Sequence, residues 1–382
     1  MKKNLYVMYA MALLQGMVFY GPIATLYRQA RGVDVFQITV IESISLALAI
    51  LLEVPWGVAA EKIGYRRTMV FCSGLYLVSK IVFWKASGFA GFLVERVLLS
   101  IVLAGFSGVD SSIIYLSCKG KGSQKAFGIY NSLSMVGLLI AAGIFSVFVQ
   151  DNYPLAGLLT VISYGIAAVL SLGLTEVKPP KERKGRAEPF KVTFRKTLSN
   201  RTLILFLIAV AFLSEAHQTI TVFLNQLQYE RCGLASSSIG LIYLVTTALG
   251  MLGVYSAALT KRMGTRKSLL IFCGLATVSC LTLAVTRHAI ASIFGVLALR
   301  ISNTLFQPFQ MEIQNQQIET ENRATALSVH SVLINGVAIG TNLVFGAFSA
   351  WKLSLAFFFG AGICAVSLLF FLLWDQKTRS LQ

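Results

Sequence analysis

Ionisable side chains sit inside long apolar runs of this chain, among them Glu42, Lys80, Glu95, Arg96, Glu215 and Arg300. A charge at bilayer depth costs about 2.5–3.5 kcal/mol or more on insertion scales, so each must meet a partner or reach water. A carboxylate held near a cation is suited to carrying protons. Desolvation favours its protonated form and the cation favours its ionised form, so a change in their separation loads or releases the proton. Polar side chains recur beside these charges. Ser214, Gln218, Thr221 and Asn225 fall at i, i+4, i+7 and i+11, one helical face, with Glu215 and His217 flanking it. Arg300, Asn303, Gln307, Gln310 and Gln314 make a second stripe, and Ser328, Ser331, Asn335 and Asn342 a third. Gln15 stands among apolar neighbours near the start. A single polar residue in lipid can be interhelical glue. Three stripes together predict a shared aqueous cavity that holds a solute.

The chemistry available is pairing, proton carriage and solute binding rather than bond making. His217, His288 and His330 lie on different segments, with no His-Glu-x-x-His or Cys/His metal spacing. No Gly-rich loop with Gly-Lys-Ser/Thr is present, which argues against ATP drive. No catalytic residue, metal or cofactor is expected. A membrane-embedded enzyme or a non-transporting sensor remains the reading of a different class.

These side chains need elements that cross a membrane to position them. The chain has 382 residues, 56% hydrophobic and 13% charged, where soluble domains carry about 25% charged. Twelve apolar segments are long enough to span: 5–27, 36–58, 68–86, 88–115, 125–149, 154–175, 202–226, 236–259, 267–286, 290–313, 323–348 and 352–374. No alternating strand pattern competes, which argues against a barrel. The first segment is too long for a signal-peptide core and lacks a cleavage site.

The formal charge of +17 could suggest nucleic acid. Its distribution points to lipid instead. With the start of the chain inside, 24 of the 33 Lys and Arg fall on the inner side. Six (Arg28, Arg31, Lys85, Arg231, Arg287, Lys352) fall outside. That asymmetry places both termini in the cytoplasm of a multi-pass protein of the plasma membrane. Depth counting at about 1.5 Å per residue then matches Glu42 with Arg96, Glu215 with Arg300, and Lys80 with Glu95. The last pair reads as structural.

Between the second and third segments runs Glu53-Val-Pro55-Trp-Gly57-Val-Ala-Ala-Glu61-Lys62-Ile-Gly64-Tyr-Arg66-Arg67, and a faint copy, Lys261-Arg262-Met-Gly264-Thr-Arg266-Lys267, follows 200 positions later. This stretch resembles the signature loop between helices 2 and 3 of the major facilitator superfamily, with Glu61 where that motif usually has Asp. Arg323-Ala-Thr325-x-x-Ser328 is similar to the start of helix 11 in many bacterial members. The resemblance implies an all-α membrane protein of twelve helices in two six-helix bundles. Helices 1, 4, 7 and 10 would line the cavity and helices 3, 6, 9 and 12 would face lipid. Gly57, Glu61, Lys62, Gly64, Arg66 and Arg67 would then form an inner gate, with Glu61 meeting the start of helix 11. Arg96 sits where members often carry a helix-4 arginine, but Leu99 and Ser100 replace the Gln-Gly that follows it there. The proline of the helix-5 antiporter motif is missing between Gly137 and Gly143.

The expected organisation is a first bundle over 1–177, a basic cytoplasmic linker over 178–200 and a second bundle over 201–382. The expected function is secondary transport of a small solute by alternating access, as proton-coupled export of an amphipathic or drug-like compound, with nutrient or metabolite uptake as the alternative. Glu215 is the candidate proton carrier. The expected partners are that solute, the lipid bilayer and protons, with no nucleic acid, for a monomer. Gly336-x-x-x-Gly340 is expected to pack helices closely.

Overall fold

The computed structural model describes residues 2–106, 109–118, 123–177, 195, 197–317 and 323–380. The side chains at 53–54, 57–62, 123–125, 315, 323–325, 328 and 379–380 lie outside that description, so Gly57, Glu61 and Lys62 of the expected gate do too, as does nearly all of the linker. Among the described residues all regular structure is helical, as lipid demands: only a helix satisfies its backbone within a single segment.

Twelve helical segments are long and apolar enough to cross a membrane. They are α1 (Lys2–Ala30), α2 (Val35–Ile63), α3 (Tyr65–Lys85), α4 (Gly88–Phe106 and Val109–Ser117), α5 (Ser123–Ile144, continuing as a π turn over Phe145–Val149) and α6 (Tyr153–Ser171). Then come α7 (Arg201–Arg231), α8 (Ser236–Met263), α9 (Thr265–Val285), α10 (Ala289–Gln316), α11 (Arg323–Trp351) and α12 (Leu353–Ser380). Two compact units result. One comprises Met1–Arg183 with Ala235–Thr247, the other Lys184–Leu234 with Ala248–Gln382.

The repeat read from sequence has a structural counterpart. Gly64 (φ 99°, ψ 144°) opens α3 and Gly264 (φ 78°, ψ 163°) opens α9, backbone geometries that only glycine adopts freely. Both helices run 21 residues and end on an extended residue, Ala86 or Thr286.

In the first unit α1 is broken. Its α-helical ladder stops at Gly16, a short 3-10 turn runs over Gly21–Ile23, and helix resumes from Ala24 to Ala30. Pro22 at the turn has no N–H to continue the ladder. Side chains of α6 satisfy backbone groups around the break. Thr160 Oγ1 accepts from Phe19 N at 3.0 Å, Ser163 Oγ donates to Leu14 O at 2.6 Å, and Tyr164 OH donates to Gln15 O at 2.6 Å. Asn4 ties the start of α1 to Thr175 with bonds of 2.8–2.9 Å. Glycines let α1 approach α5: a Cβ on Gly16 would overlap the Ser134 carbonyl, and one on Gly137 the Leu13 carbonyl.

The glycine pair picked out in α11 behaves otherwise. Among the described residues, a Cβ on Gly336 or Gly340 would meet nothing within 4 Å. Close approach by glycine is thus found at the α1–α5 crossing and not at these two positions.

Candidate substrate and coupling sites

The first unit concentrates charge where α1–α4 come together. Arg96 on α4 donates through Nε to Glu42 Oε2 on α2 at 2.7 Å, and its Nη2 bonds the same oxygen. Both side chains are nearly one-fifth exposed, at 17% and 18%. Next door, Lys80 Nζ on α3 lies 4.0 Å from Glu95 Oε1 on α4, and both side chains are almost fully buried. These are the two pairings that depth counting anticipates for this half. Ser45 and Ser100 hydroxyls, 2.8 Å apart, tie α2 to α4 one turn below Arg96.

Aromatic rings surround Lys80. It donates to Tyr20 OH at 3.0 Å and faces the rings of Tyr20, Tyr76 and Tyr164 at 5.0–5.7 Å. Tyr20 stacks on Phe83, with centroids 3.8 Å apart. The electron-rich faces stabilise a cation that has left water.

Sequence reasoning missed one member of this cluster. Arg28, counted among the outer-loop cations, is only 5% exposed. The helix that resumes after the α1 break carries it inward. Its guanidinium lies over Phe83 at 5.4 Å and Phe92 at 5.9 Å, within electrostatic reach of Arg96, Glu95, Glu42 and Tyr20. The signal available in the sequence was Gly21-Pro22 six residues before it.

The second unit holds the other expected site residues. Glu215 on α7 is 7% exposed and accepts from Thr219 Oγ1 at 2.6 Å. His217 is fully buried, and neither ring nitrogen has a hydrogen-bond partner among the described residues. The half-buried Arg300 lies within electrostatic reach of His217. Asn303 is buried, Gln307 exposed and Asn335 half-buried, with Asn335 Nδ2 3.4 Å from Ser331 Oγ on its own helix. Gln314 Nε2 on α10 reaches His330 Nδ1 on α11 at 3.2 Å.

The single polar face expected on α7 is not continuous. A π turn occupies Thr219–Leu224. Its i→i+5 bonding inserts one extra residue, which swings everything downstream by about 100°. Ser214 is half-buried and Gln218 exposed, while Thr221 and Asn225 are buried. The latter two are used locally: Thr221 donates to His217 O at 2.7 Å, and Asn225 Oδ1 accepts from Gln226 N at 2.8 Å.

Where α2 passes into α3, Arg66 ties the start of α3 to the segment following α6. Its Nε donates to Leu174 O at 2.6 Å, Nη2 to Leu172 O at 3.4 Å, and its backbone N to Glu176 Oε1 at 3.2 Å. Arg67 is exposed. Gln15 is half-buried, and its carbonyl rather than its amide carries the bond to Tyr164.

Comparison with known proteins agrees with this architecture. Residues 5–341 match the family model described as the Major Facilitator Superfamily. No curated protein matches the sequence significantly. Among solved structures, a point mutant of the nucleoside transporter NupG superposes with a TM-score of 0.82 at 14% identity, covering 97% of this chain and 99% of that one. A bacterial homologue of the human lysosomal transporter Spinster, inward-facing and unoccupied, gives 0.74 at 16% identity over 97% and 95%. A POT family transporter in complex with 5-aminolevulinic acid gives 0.74 at 14% over 98% and 96%. At these identities the likeness is one of fold.

Proposed function

Because this chain belongs to the Major Facilitator Superfamily, making it a multi-pass membrane transporter of a solute, we propose that it exports a small amphipathic or drug-like compound in exchange for protons. It does so by alternating access, as a monomer in the plasma membrane with both termini in the cytoplasm. The observation that carries the coupling is Glu215, a carboxylate 7% exposed within a membrane-spanning helix and held by Thr219. Such a group is costly unless it works. Glu42 is its rival as carrier, through the ion pair with Arg96. The positive-inside asymmetry supports the orientation. The stretch from Glu61 to Arg67 serves as the inner latch, with Arg66 bound to Leu172, Leu174 and Glu176 as its anchor within the first unit.

Uptake of a polar metabolite is the second reading, favoured by the carboxamides Asn303, Gln307, Gln310 and Gln314 along α10. The test is flux in liposomes, using a labelled solute chosen from a ligand-stabilisation screen. Glu215→Gln is expected to abolish movement against a gradient when only a pH gradient is imposed, and to permit exchange at equal pH. Uphill movement retained by that variant would remove Glu215 from the role. Uphill movement into the cytoplasmic side would replace export with uptake.

A further inference from the structure

The buried charges of the first unit do not balance. Arg28, Lys80 and Arg96 face Glu42 and Glu95, three formal positive charges against two negative among the described residues of the cluster. The pairings are uneven as well. Arg96 is taken by Glu42 and Lys80 by Glu95 and Tyr20, which leaves Arg28 without a carboxylate of its own in this cluster. Arg28 Nε is buried with no hydrogen-bond partner among the described residues. The rings of Phe83 and Phe92 beside the guanidinium give it π faces but no acceptor oxygen. A desolvated cluster with one counter-charge too few is a costly arrangement for a fold to keep.

We infer that this cluster is an anion site, in which a small anion or the carboxylate of a solute neutralises Arg28 within the outer half of the first unit. The geometry suits such a ligand. Guanidinium offers several N–H donors in one plane and matches a carboxylate or a halide without rearrangement. Lys80, bonded to the Tyr20 that stacks on Phe83, adds positive potential to the same region. Glu95, whose Oε2 also lacks a hydrogen-bond partner among the described residues, sets the opposite limit. It disfavours a dianion and selects single negative charges. The site rests on the charge arrangement of one unit and is independent of transport direction or proton coupling, so it can fail while the export reading stands, and the reverse.

The test is calorimetric titration of the purified full-length chain in micelles, first with chloride and then with acetate and benzoate, from a buffer whose only anion is too bulky to enter. The expected result is saturable binding of one anion per chain. Arg28→Met, which keeps the packing against Phe83 and Phe92, should weaken it at least tenfold. Arg28→Lys, which keeps the charge, should retain it to within about tenfold. Arg287→Gln, a change to a cation beyond the spans, should leave it unchanged. Chloride alone binding identifies a free halide as the occupant; acetate or benzoate displacing it identifies a solute carboxylate. Either outcome supports the site. No saturable binding to the native chain overturns it, and so does equal binding by Arg28→Met. Should both Arg28 variants fail to fold, the native chain still decides: an unfolding temperature that does not rise with chloride, at constant ionic strength, overturns the inference.

Discussion

In the first unit five charged side chains crowd together between α1, α2, α3 and α4, with Tyr20, Tyr76, Tyr164, Phe83 and Phe92 around the cations. In the second, the charged site residues are Glu215, which accepts from a neighbouring hydroxyl, and the half-buried Arg300, and they stand among amides, hydroxyls and an imidazole. The same six-helix plan, down to the matching glycine turns at Gly64 and Gly264, thus carries two kinds of polarity. Charge pairs fix geometry and resist removal of one partner. Neutral hydrogen-bonding groups cost less to rearrange, because a lost bond forfeits about 1 kcal/mol rather than a desolvated charge. The first unit is accordingly the one whose interior is expected to hold still, and the second the one free to adapt to a solute.

The sharpest way to break that contrast is to unpair the deepest charges. Lys80→Met leaves Glu95 without its cation, and Glu95→Leu leaves Lys80 with only tyrosines. Each is expected to destabilise the chain by about 3–5 kcal/mol. The double variant should cost well below the sum of the two, and unfolding in micelles measures both. Strict additivity would mean that the 4.0 Å approach contributes no coupling. The corresponding break in the second unit is smaller. Thr219→Val removes the 2.6 Å bond to Glu215 and is expected to cost about 1.5–3 kcal/mol, the range for hydrogen bonds to charged groups. A loss as large as that at Lys80 would show that the two units are equally rigid.

Much of this was readable from residues alone, and what escaped has physical reasons. The spans follow from hydrophobic length. Glu42–Arg96 and Lys80–Glu95 follow from counting depth, because straight helices rise by a fixed amount per residue. Counting fails where a helix is not straight. The break at Gly16–Ile23 carried Arg28 into the interior, and the π turn at Thr219–Leu224 divided a stripe that an unbroken period would keep on one face. Nothing in Thr-Ile-Thr-Val-Phe-Leu announces that turn, since it depends on which neighbours satisfy the displaced backbone. The spacing Gly336-x-x-x-Gly340 shows the reverse failure: a pattern suited to close approach, with no described atom within 4 Å of a Cβ at either position. Spacing states what a surface permits, and the packing partner decides whether it is used.

The finest comparison lies between the two glycine turns. At both, replacement by alanine forces an L-residue into backbone angles that cost about 1–3 kcal/mol. At Gly264 the new Cβ meets nothing within 4 Å among the described residues, so that strain is the whole effect. At Gly64 the Cβ would come within 2.8 Å of Glu176 Oε2, on the carboxylate that also accepts from Arg66 N. The carboxylate ends a flexible side chain and can retreat, but its retreat weakens the bond from Arg66 N. Gly64→Ala is therefore expected to cost more than Gly264→Ala by under about 1 kcal/mol, the net worth of one ordinary hydrogen bond. Measured from a Glu176→Ala reference, Gly64→Ala should cost the same as Gly264→Ala, because the clash and the acceptor are both already gone. Unfolding temperatures of these variants decide the matter. If Gly264→Ala proves the more damaging, backbone strain alone ranks the two turns, and the Glu176 contact contributes nothing to the stability of the Gly64 turn.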